Sequence, residues 1–212
     1  MPGAVHVLSS DPLILTIDDF VTEEEARYLI VAGNRAMKPS TIVCDKPEGC
    51  VDPRRSSQSA QLGEDRLAEP IRQRAREFSG LRTCETIQIV RYTVGQEFKP
   101  HLDAFDASTK AGQREIRSGG GQRAATFLVY LNEPEAGGAT VFPKVGLSVL
   151  PKACMAVYWR HQVPGTTRVD DRMLHGGAPV TSGTKYACNI WLRQPLIAMT
   201  GTQLNPQLSP RR

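Results

Sequence analysis

The chain has 212 residues, of which 40% are hydrophobic and 23% are charged. This composition suits one packed domain and argues against global disorder. The formal net charge of +4 comes from 26 basic and 22 acidic residues that form no concentrated basic stripe, so we expect no nucleic-acid partner. The sequence has neither an apolar run of about 18 residues nor a basic leader, so we expect a cytoplasmic protein without a membrane partner.

Five cysteines are present, an odd number without any Cys-x-x-Cys pair, so neither a disulfide framework nor a zinc site is indicated. Cys154 and Cys188 lie in apolar runs and are predicted to be core residues. Cys44 and Cys50 could close a small loop, but we expect free thiols, as is usual in a reducing compartment.

The first 84 residues contain two helical patterns. Thr22 and Glu25 form a capping box, and the apolar spacing behind it predicts a helix over residues 22–37. A second helix is predicted over residues 64–79, with Gly80 as its stop signal. Pro70 either kinks this second helix or marks its true start.

From residue 85 the pattern changes to short β-like runs separated by turn residues. Strands are predicted over residues 87–92, 123–131, 139–142, 146–150, 154–159, 173–180 and 185–192. Their spacing favours a sandwich or barrel over a βαβ sheet. The polar segment 104–121 ends in three glycines and is predicted to be a mobile loop, and residues after about 199 are predicted to be a frayed tail.

The four histidines of the chain point to a metal site. His101 and Asp103 are two residues apart, and such residues face the same side of a strand. His175 lies in another predicted strand and could supply a third ligand. Two His and one carboxylate are the facial triad of non-haem Fe(II) oxygenases, which leaves coordination positions open for substrate and O₂. The alternative is a surface His–Asp pair and an unrelated core histidine.

Lys185 opens the strand that follows His175. Inside a barrel it would be a buried cation that needs an anion, and a bound dicarboxylate would satisfy it. The alternative is a solvated lysine at a strand end. Trp159 is predicted to be a core residue, and His161 is predicted to lie on the surface of a loop.

Several motifs, taken in order, resemble the 2-oxoglutarate-dependent prolyl 4-hydroxylases, and the resemblance covers roughly residues 12–195. They are Arg-Arg-Ser-Ser at 54–57, the segment 92–103 that ends in His-Leu-Asp, Gly-Gln-Arg at 121–123, Gly-Gly-Ala-Thr-Val-Phe-Pro at 137–143, Leu-His-Gly-Gly-Ala-Pro-Val at 174–180, and Gly-Thr-Lys-Tyr at 183–186 followed by Trp191. Their order and number make the resemblance specific, where any one motif alone would not be.

The resemblance implies a mainly β (α+β) fold, a double-stranded β-helix (jelly roll) with supporting N-terminal helices. In domain terms, it implies an N-terminal strand and supporting helices in residues 1–84, a catalytic core in 85–195 and a C-terminal tail in 196–212. His101, Asp103 and His175 would hold Fe(II). Lys185 would pair with the distal carboxylate of 2-oxoglutarate, which Tyr92 and Thr140 would also contact; Arg123 and Trp191 would line the peptide or proline side.

The implied reaction hydroxylates a prolyl residue of a peptide or protein at the 4-position and decarboxylates 2-oxoglutarate to succinate and CO₂. Its cofactors and cosubstrates would be Fe(II), 2-oxoglutarate, O₂ and L-ascorbate. The strand positions of Tyr92, Thr140, Arg123 and Trp191 also allow purely structural roles for these residues.

Three departures from the family pattern lie near the substrate side. Tyr186 stands where the family often has Trp, Arg193 stands where it often has His, and the 104–121 segment is long. Three alternatives therefore stay open: the same chemistry on a free amino acid or small metabolite, a nucleic-acid demethylase, and a non-catalytic binding module of the cupin type. The sequence leaves the oligomeric state undetermined.

Overall fold

The computed structural model describes residues 3–195. The described strands are β1 (Val5–Ser10), β2 (Leu13–Ile17), β3 (Lys38–Pro39), β4 (Thr41–Ile42), β5 (Cys50–Val51), β6 (Gln58–Leu62), β7 (Thr83–Cys84), β8 (Ile87–Tyr92), β9 (Phe98–His101), β10 (Gln122–Tyr130), β11 (Ala136–Gly137), β12 (Thr140–Phe142), β13 (Leu147–Val149), β14 (Ala156–Arg160), β15 (His175–Gly177), β16 (Val180–Ser182) and β17 (Lys185–Gln194). The described helices are α1 (Glu23–Asn34), α2 (Glu69–Ser79), α3 (Lys110–Ser118) and a short 3₁₀ turn (Asp171–Met173).

Two facing sheets form the body of the molecule. The large sheet has the order β1–β2–β14–β10–β17–β8–β6–β3, with β7 beside β17, and the small sheet has the order β13–β12–β15–β9. Strands β11–β16 and β4–β5 form separate two-stranded pairs. Neighbouring strands are antiparallel in both sheets, and the mainly β, jelly-roll class predicted from the sequence is confirmed.

The central strands of the large sheet are buried on both faces, and because successive strand side chains point to opposite faces, they contribute to two separate core clusters. On β10, Phe127 and Val129 pack towards α1 and α2, in a core cluster that includes Leu29 and Ile71. Tyr130 belongs instead to the cluster between the two sheets, with Phe142 of the small sheet. Every second residue of β8, β10 and β17 therefore faces the space between the sheets.

The capping box predicted at the first helix is confirmed. Thr22 accepts a hydrogen bond from the Glu25 amide, and Glu25 accepts one from the Thr22 amide. Helix α1 ends at Asn34, three residues short of the predicted end. Helix α2 starts at Glu69 and not at residue 64, because Pro70 occupies its first turn, where a proline costs no hydrogen bond. Gly80 ends α2 with a left-handed φ of 74°.

The segment 104–121, predicted to be a mobile loop, contains a helix that the sequence analysis missed. Helix α3 lies inside this segment, and the Thr109 side chain caps it by accepting a hydrogen bond from the Gly112 amide. Only Ala111, Gly112 and Ile116 of α3 are buried, so its apolar stripe is too narrow to show in the sequence pattern. The predicted strand over 173–180 is also divided between the 3₁₀ turn, β15 and the start of β16.

Cys44 and Cys50 form a disulfide, which corrects the expectation of free thiols. The bond closes a short loop between β4 and β5, and a small exposed loop of this kind shows no hydrophobic signal from which the pairing could be inferred. Cys154 and Cys188 are buried, as predicted. The predicted tail lies outside the described residues, and the division at residues 84 and 195 stays a prediction. No helix within residues 3–195 is long and apolar enough to cross a membrane.

Candidate active site

The three predicted metal ligands converge at one end of the small sheet. His101 ends β9 and His175 begins β15, and the two residues are direct partners in the antiparallel pairing of these strands. Asp103 follows two residues after β9, so it lies beyond the strand and not on it. One candidate ligand atom from each of the three side chains lies within 4.8 Å of the other two.

Both imidazole rings present the same nitrogen to Asp103. The Nδ1 atoms lie 2.9 Å from the Lys99 carbonyl oxygen for His101 and 3.0 Å from the Met173 carbonyl oxygen for His175, so each Nδ1–H donates to the backbone. The Nε2 atoms, which then carry the lone pairs, lie 3.7 Å and 3.5 Å from the Asp103 carboxylate oxygens. Such backbone contacts orient metal-binding histidines.

The protonation states suit a divalent metal. Burial would raise the pKa of Asp103, but His175 and His101 outweigh it and hold the pKa of this carboxyl well below its usual range. Burial lowers the pKa of His175 to about 4, so this ring is neutral at neutral pH. Two imidazoles and one carboxylate are the donor set that fits Fe(II), since they leave three octahedral positions open.

A second layer of contacts holds Asp103, and sequence reasoning missed it. The Thr126 hydroxyl donates to Asp103 Oδ2 at 2.7 Å, and its oxygen lies 2.7 Å from Nε2 of His161. Because the hydroxyl has one proton, His161 Nε2–H must donate to Thr126. His161 is 2% exposed, so its predicted surface position was wrong. The inner face of β14 carries Val157 and Trp159, and His161 continues their two-residue alternation. This alternation could have revealed that His161 is buried.

Lys185 lies opposite Tyr92 in the pairing of β17 with β8. Lys185 is 3% exposed, and its ammonium group donates to the Gly138 carbonyl at 2.6 Å. No carboxylate among residues 3–195 forms an ion pair with it, and burial lowers the pKa of Lys185 to about 7. A solvated strand-end lysine is therefore excluded, and the site fits an anion.

The predicted hydroxyl contacts lie beside this lysine. The Lys185 ammonium is 5.5 Å from the Tyr92 ring centre and 5.1 Å from that of Tyr130. Tyr130 donates its hydroxyl proton to Thr140 Oγ1 at 2.7 Å. Tyr130 was not predicted as a site residue because its apolar surroundings on β10 are typical of a core aromatic.

Arg123 and Trp191 form a stacked pair on the large sheet. The Arg123 guanidinium carbon lies 3.6 Å from the Trp191 ring centre, and the Glu85 carboxylate accepts two hydrogen bonds from Arg123 at 2.7 Å and 2.8 Å. Arg193 also donates to Glu85, at 2.7 Å. Burial would raise the pKa of Glu85, but the two arginines outweigh it and lower the pKa. Glu85 was missed because it stands outside every motif.

All eight predicted site residues line one cavity of about 1080 Å³. They are His101, Asp103, His175, Tyr92, Thr140, Lys185, Arg123 and Trp191. The disulfide-closed loop and α3 form further walls. Arg114 of α3 joins these two walls, because its guanidinium donates to the Cys44 carbonyl at 3.0 Å and to the Asp45 carbonyl at 3.1 Å.

Comparisons with known proteins agree with this geometry. A family model of the 2OG-Fe(II) oxygenase superfamily matches residues 87–193. Prolyl 4-hydroxylase 5 of Arabidopsis thaliana is 35% identical over 213 residues, which cover 88% of this chain and 70% of that protein. Prolyl 4-hydroxylase subunit alpha-1 of Mus musculus is 33% identical over 189 residues, which cover 86% of this chain and 35% of that one.

A solved structure gives the same assignment. The viral collagen prolyl hydroxylase of Paramecium Bursaria Chlorella virus-1, in its 2OG complex, matches with a TM-score of 0.67 and 28% identity, covering 85% of this chain and 95% of that chain. The chain therefore belongs to the prolyl 4-hydroxylase family of the 2OG-Fe(II) oxygenase superfamily and is a 2-oxoglutarate-dependent dioxygenase.

Proposed function

We propose that the protein hydroxylates prolyl residues of a peptide or protein at the 4-position and couples this to decarboxylation of 2-oxoglutarate. The main observation behind the proposal is that three groups line one cavity. They are a His–Asp–His donor set, a buried lysine with no carboxylate partner among residues 3–195, and an Arg–Trp stack. Each of these groups serves one component of the reaction.

His101 and His175, through Nε2, and Asp103, through its carboxylate, would hold Fe(II). Bound Fe(II) together with 2-oxoglutarate and O₂ supplies the oxidising chemistry, in which one oxygen atom reaches the substrate and the other reaches succinate. The carboxylate at position 103 favours hydroxylation over halogenation, because a halogenating site needs that ligand position for chloride.

Lys185 would bind the distal carboxylate of 2-oxoglutarate. A buried ammonium is a single point charge, which suits a single terminal carboxylate. The pKa of Lys185, lowered to about 7 by burial, would return towards its ordinary value when the anion arrives. Tyr92 and Thr140 would add hydroxyl contacts to the same ligand.

Arg123 and Trp191 would bind the substrate. Glu85 fixes the guanidinium against the indole face, so neither side chain has to lose rotamer freedom when the substrate binds. The Trp191 indole Nε1 is buried and has no hydrogen-bond partner among residues 3–195, which supports a contact with a polar substrate group.

The second candidate is the same chemistry on a free amino acid or small metabolite. The walls formed by the disulfide-closed loop and α3 support it, because walls that enclose a cavity favour a small ligand over a long peptide. The use of L-ascorbate as reductant and a cytoplasmic location stay predictions from the sequence.

Incubation with Fe(II), 2-oxoglutarate and either proline-rich peptides or free proline separates the candidates. We expect succinate formation coupled to the gain of one oxygen atom by the peptide, measured by mass spectrometry. Coupled turnover of free proline alone would select the metabolite enzyme. Succinate formation that no proline-containing compound stimulates would reject proline as the substrate.

A further inference from the structure

Arg193 is a buried cation to which the proposed function assigns no role. It is 5% exposed and stands near the end of β17, directly opposite Arg123 in the pairing of β17 with β10. Arg123 lines the cavity, whereas Arg193 is not among the described residues that line it. Two like charges on paired strands repel each other, so the surrounding structure must compensate for this arrangement.

One carboxylate and one aromatic ring join the two arginines. The Nε–H groups of Arg123 and Arg193 both donate to Glu85 Oε1 at 2.7 Å. Both guanidinium groups also lie over the Phe105 ring, with their carbon atoms 4.5 Å and 4.9 Å from its centre. These four side chains therefore form one packed cluster, in which a movement of Arg193 would displace Arg123.

The Arg193 guanidinium also holds the carboxyl end of α3. Its Nη1 atom donates to the Glu115 carbonyl at 2.7 Å and to the Gly121 carbonyl at 3.0 Å. The last carbonyl groups of a helix lack partners within the helix and carry the negative end of its dipole, so a cation there is favourable. Arg193 thus connects α3 to the large sheet beside the Arg123–Trp191 stack.

The glycine run at 119–121 leaves the space that this guanidinium occupies. A Cβ atom at Gly119 would lie 2.0 Å from Nη1 and 2.2 Å from Cζ of Arg193, which is far inside van der Waals contact. The φ angle of Gly119 is −94°, which any residue can adopt. Glycine is therefore needed at position 119 for the room that it gives Arg193 and not for its backbone conformation.

Polar contacts decide the position of α3, because the helix packs through a small apolar surface that consists of Ala111, Gly112 and Ile116. Arg114 attaches the helix to the disulfide-closed loop, and Arg193 attaches its carboxyl end to the large sheet. Glu115, whose carbonyl accepts from Arg193, lines the cavity. The placement of this wall opposite the substrate therefore depends on Arg193.

We propose that Arg193 is a positioning residue for substrate binding, which fixes the carboxyl end of α3 relative to the Arg123–Trp191 stack. It acts through Glu85 and Arg123 on one side and through the α3 carbonyls on the other, and it does not contact the substrate itself. Two sides of the cavity then become ordered together when a substrate binds. The inference rests on the proposed function and deepens it, because it adds a residue behind the cavity wall to those that determine substrate affinity.

Two substitutions test Arg193 from opposite sides. Arg193→Gln removes the cation and leaves the other hydrogen bonds of Glu85 in place. Gly119→Ala keeps Arg193 but displaces its guanidinium from α3, because the new Cβ occupies that space. The second variant also keeps the test valid if Arg193→Gln fails to fold. The matched controls are Arg117→Gln, at an exposed arginine of α3, and Gly63→Ala, at a glycine where a Cβ would meet open space.

The first measurement separates substrate binding from the rest of the reaction. We expect the KM for a proline-rich peptide to rise about tenfold in Arg193→Gln, the equivalent of one hydrogen bond from a charged donor. The rise should be several-fold in Gly119→Ala, in which Glu85 keeps both arginines. The kcat, the KM for 2-oxoglutarate and the affinity for Co(II) should not change. A merely structural role would lower thermal stability without this split between the KM for peptide and the kcat.

Hydrogen exchange in α3 gives a second measurement that does not depend on turnover. The Gly121 amide donates to the Ile116 carbonyl at 2.9 Å, and it should exchange faster in both variants than in the controls. In wild-type protein loaded anaerobically with Fe(II) and 2-oxoglutarate, a bound peptide should slow this exchange, because it fixes Arg123 and, through the cluster, α3. In Arg193→Gln this protection should be absent.

The outcomes separate this inference from the proposed function. Unchanged exchange at Gly121 in both variants, or a wild-type KM for peptide despite faster exchange, would overturn the role of Arg193 even if peptides are hydroxylated. Equal losses of peptide, metal and 2-oxoglutarate binding would show general damage and overturn it as well. If wild-type protein oxygenates no proline compound, the proposed function fails; faster exchange in both variants would still support Arg193 as the residue that holds α3, and unchanged exchange would overturn it.

Discussion

Lys185 shows how a functional group can destabilise the protein that carries it. Its ammonium group is buried against two tyrosine rings, with one carbonyl as its hydrogen-bond acceptor. The unfolded chain would hold the same proton up to a pH near 10.4, whereas the folded pKa is about 7. Between these two pH values the unfolded state binds more protons, so stability from this group increases as the pH rises, and the full penalty is present below pH 7.

Lys185→Met should therefore stabilise the ligand-free protein while impairing its use of 2-oxoglutarate. Removing the buried cation should gain about 1–3 kcal/mol of unfolding free energy, after allowance for the hydrogen bond lost at Gly138. Thermal unfolding at pH 7 measures the gain, and the 2-oxoglutarate dependence of succinate formation measures the loss. An unchanged 2-oxoglutarate requirement would show that another group anchors the cosubstrate.

Thr126 would be a positioning residue for the proposed metal site, because its hydroxyl donates to Asp103 and accepts a hydrogen bond from His161. Thr126→Val should lower metal affinity about 10–100-fold, the usual effect of removing a partner of a ligand. Thr126→Ser should restore it, since the hydroxyl is retained. Competition titration with Co(II) against a chelator measures the affinity directly. Wild-type affinity in the valine variant would remove Thr126 from the metal site.

Residue types and spacing pointed to the three metal ligands and Lys185, and the resemblance to the prolyl 4-hydroxylases added the other four cavity residues, but neither indicated their supporting partners. His101, Asp103 and His175 carry side chains with distinctive metal chemistry, so these three positions restrict the kinds of site that the sequence can form. Glu85 and Thr126 are ordinary polar residues whose importance comes from tertiary contacts 20 or more positions away in the chain. Sequence spacing does not encode such contacts.

Among the structural elements, α3 and the disulfide-closed loop are where the structure departs most from the sequence prediction. Strands such as β8 and β10 were predictable because they alternate or are continuously apolar. Helix α3 rests on the body through a narrow apolar stripe, and most of its surface is polar. Its position depends on Arg114, which binds two backbone carbonyls of a loop about 70 residues earlier in the chain.

Arg114→Gln should loosen these two walls of the cavity without disturbing the metal or cosubstrate sites. We expect the KM for peptide to rise several-fold, because two hydrogen bonds worth about 1 kcal/mol each are lost from a substrate-facing wall. The KM for 2-oxoglutarate should stay the same. Arg117→Gln, at an exposed position of the same helix, is the matched control. Equal kinetics in both variants would show that the walls do not depend on Arg114.

At the scale of the whole molecule, the site joins the two sheets. His101 and His175 belong to the small sheet and Lys185 belongs to the large one. A metal ion alone would be held from one side of the cavity, whereas under the proposed assignment 2-oxoglutarate would also be held by Lys185 on the other side. The jelly-roll fold was predictable from its motifs, but the pairing of these groups across the cavity depends on how the sheets pack.

Metal and 2-oxoglutarate should therefore stabilise the fold cooperatively. At 100-fold excess over its Kd a ligand adds about 2.7 kcal/mol, which corresponds to about 5–10 °C in Tm for a chain of this size. With Mn(II) and 2-oxoglutarate together, the Tm shift should exceed the sum of the two separate shifts, and a chelator should reverse it. Additive shifts, or a cooperative shift that persists in Asp103→Ala, would contradict a shared site.

The alternation along β17 separates two kinds of constraint within a single ten-residue strand. Lys185, Asn189 and Trp191 line the cavity, while Cys188 and Ile190 between them pack against the helices. Substitutions along this strand should therefore alternate in effect: those at cavity-lining positions should impair activity, and those at core positions should impair folding. A combinatorial library restricted to the cavity-lining positions of β17 could then change substrate specificity while the core packing against the helices stays intact.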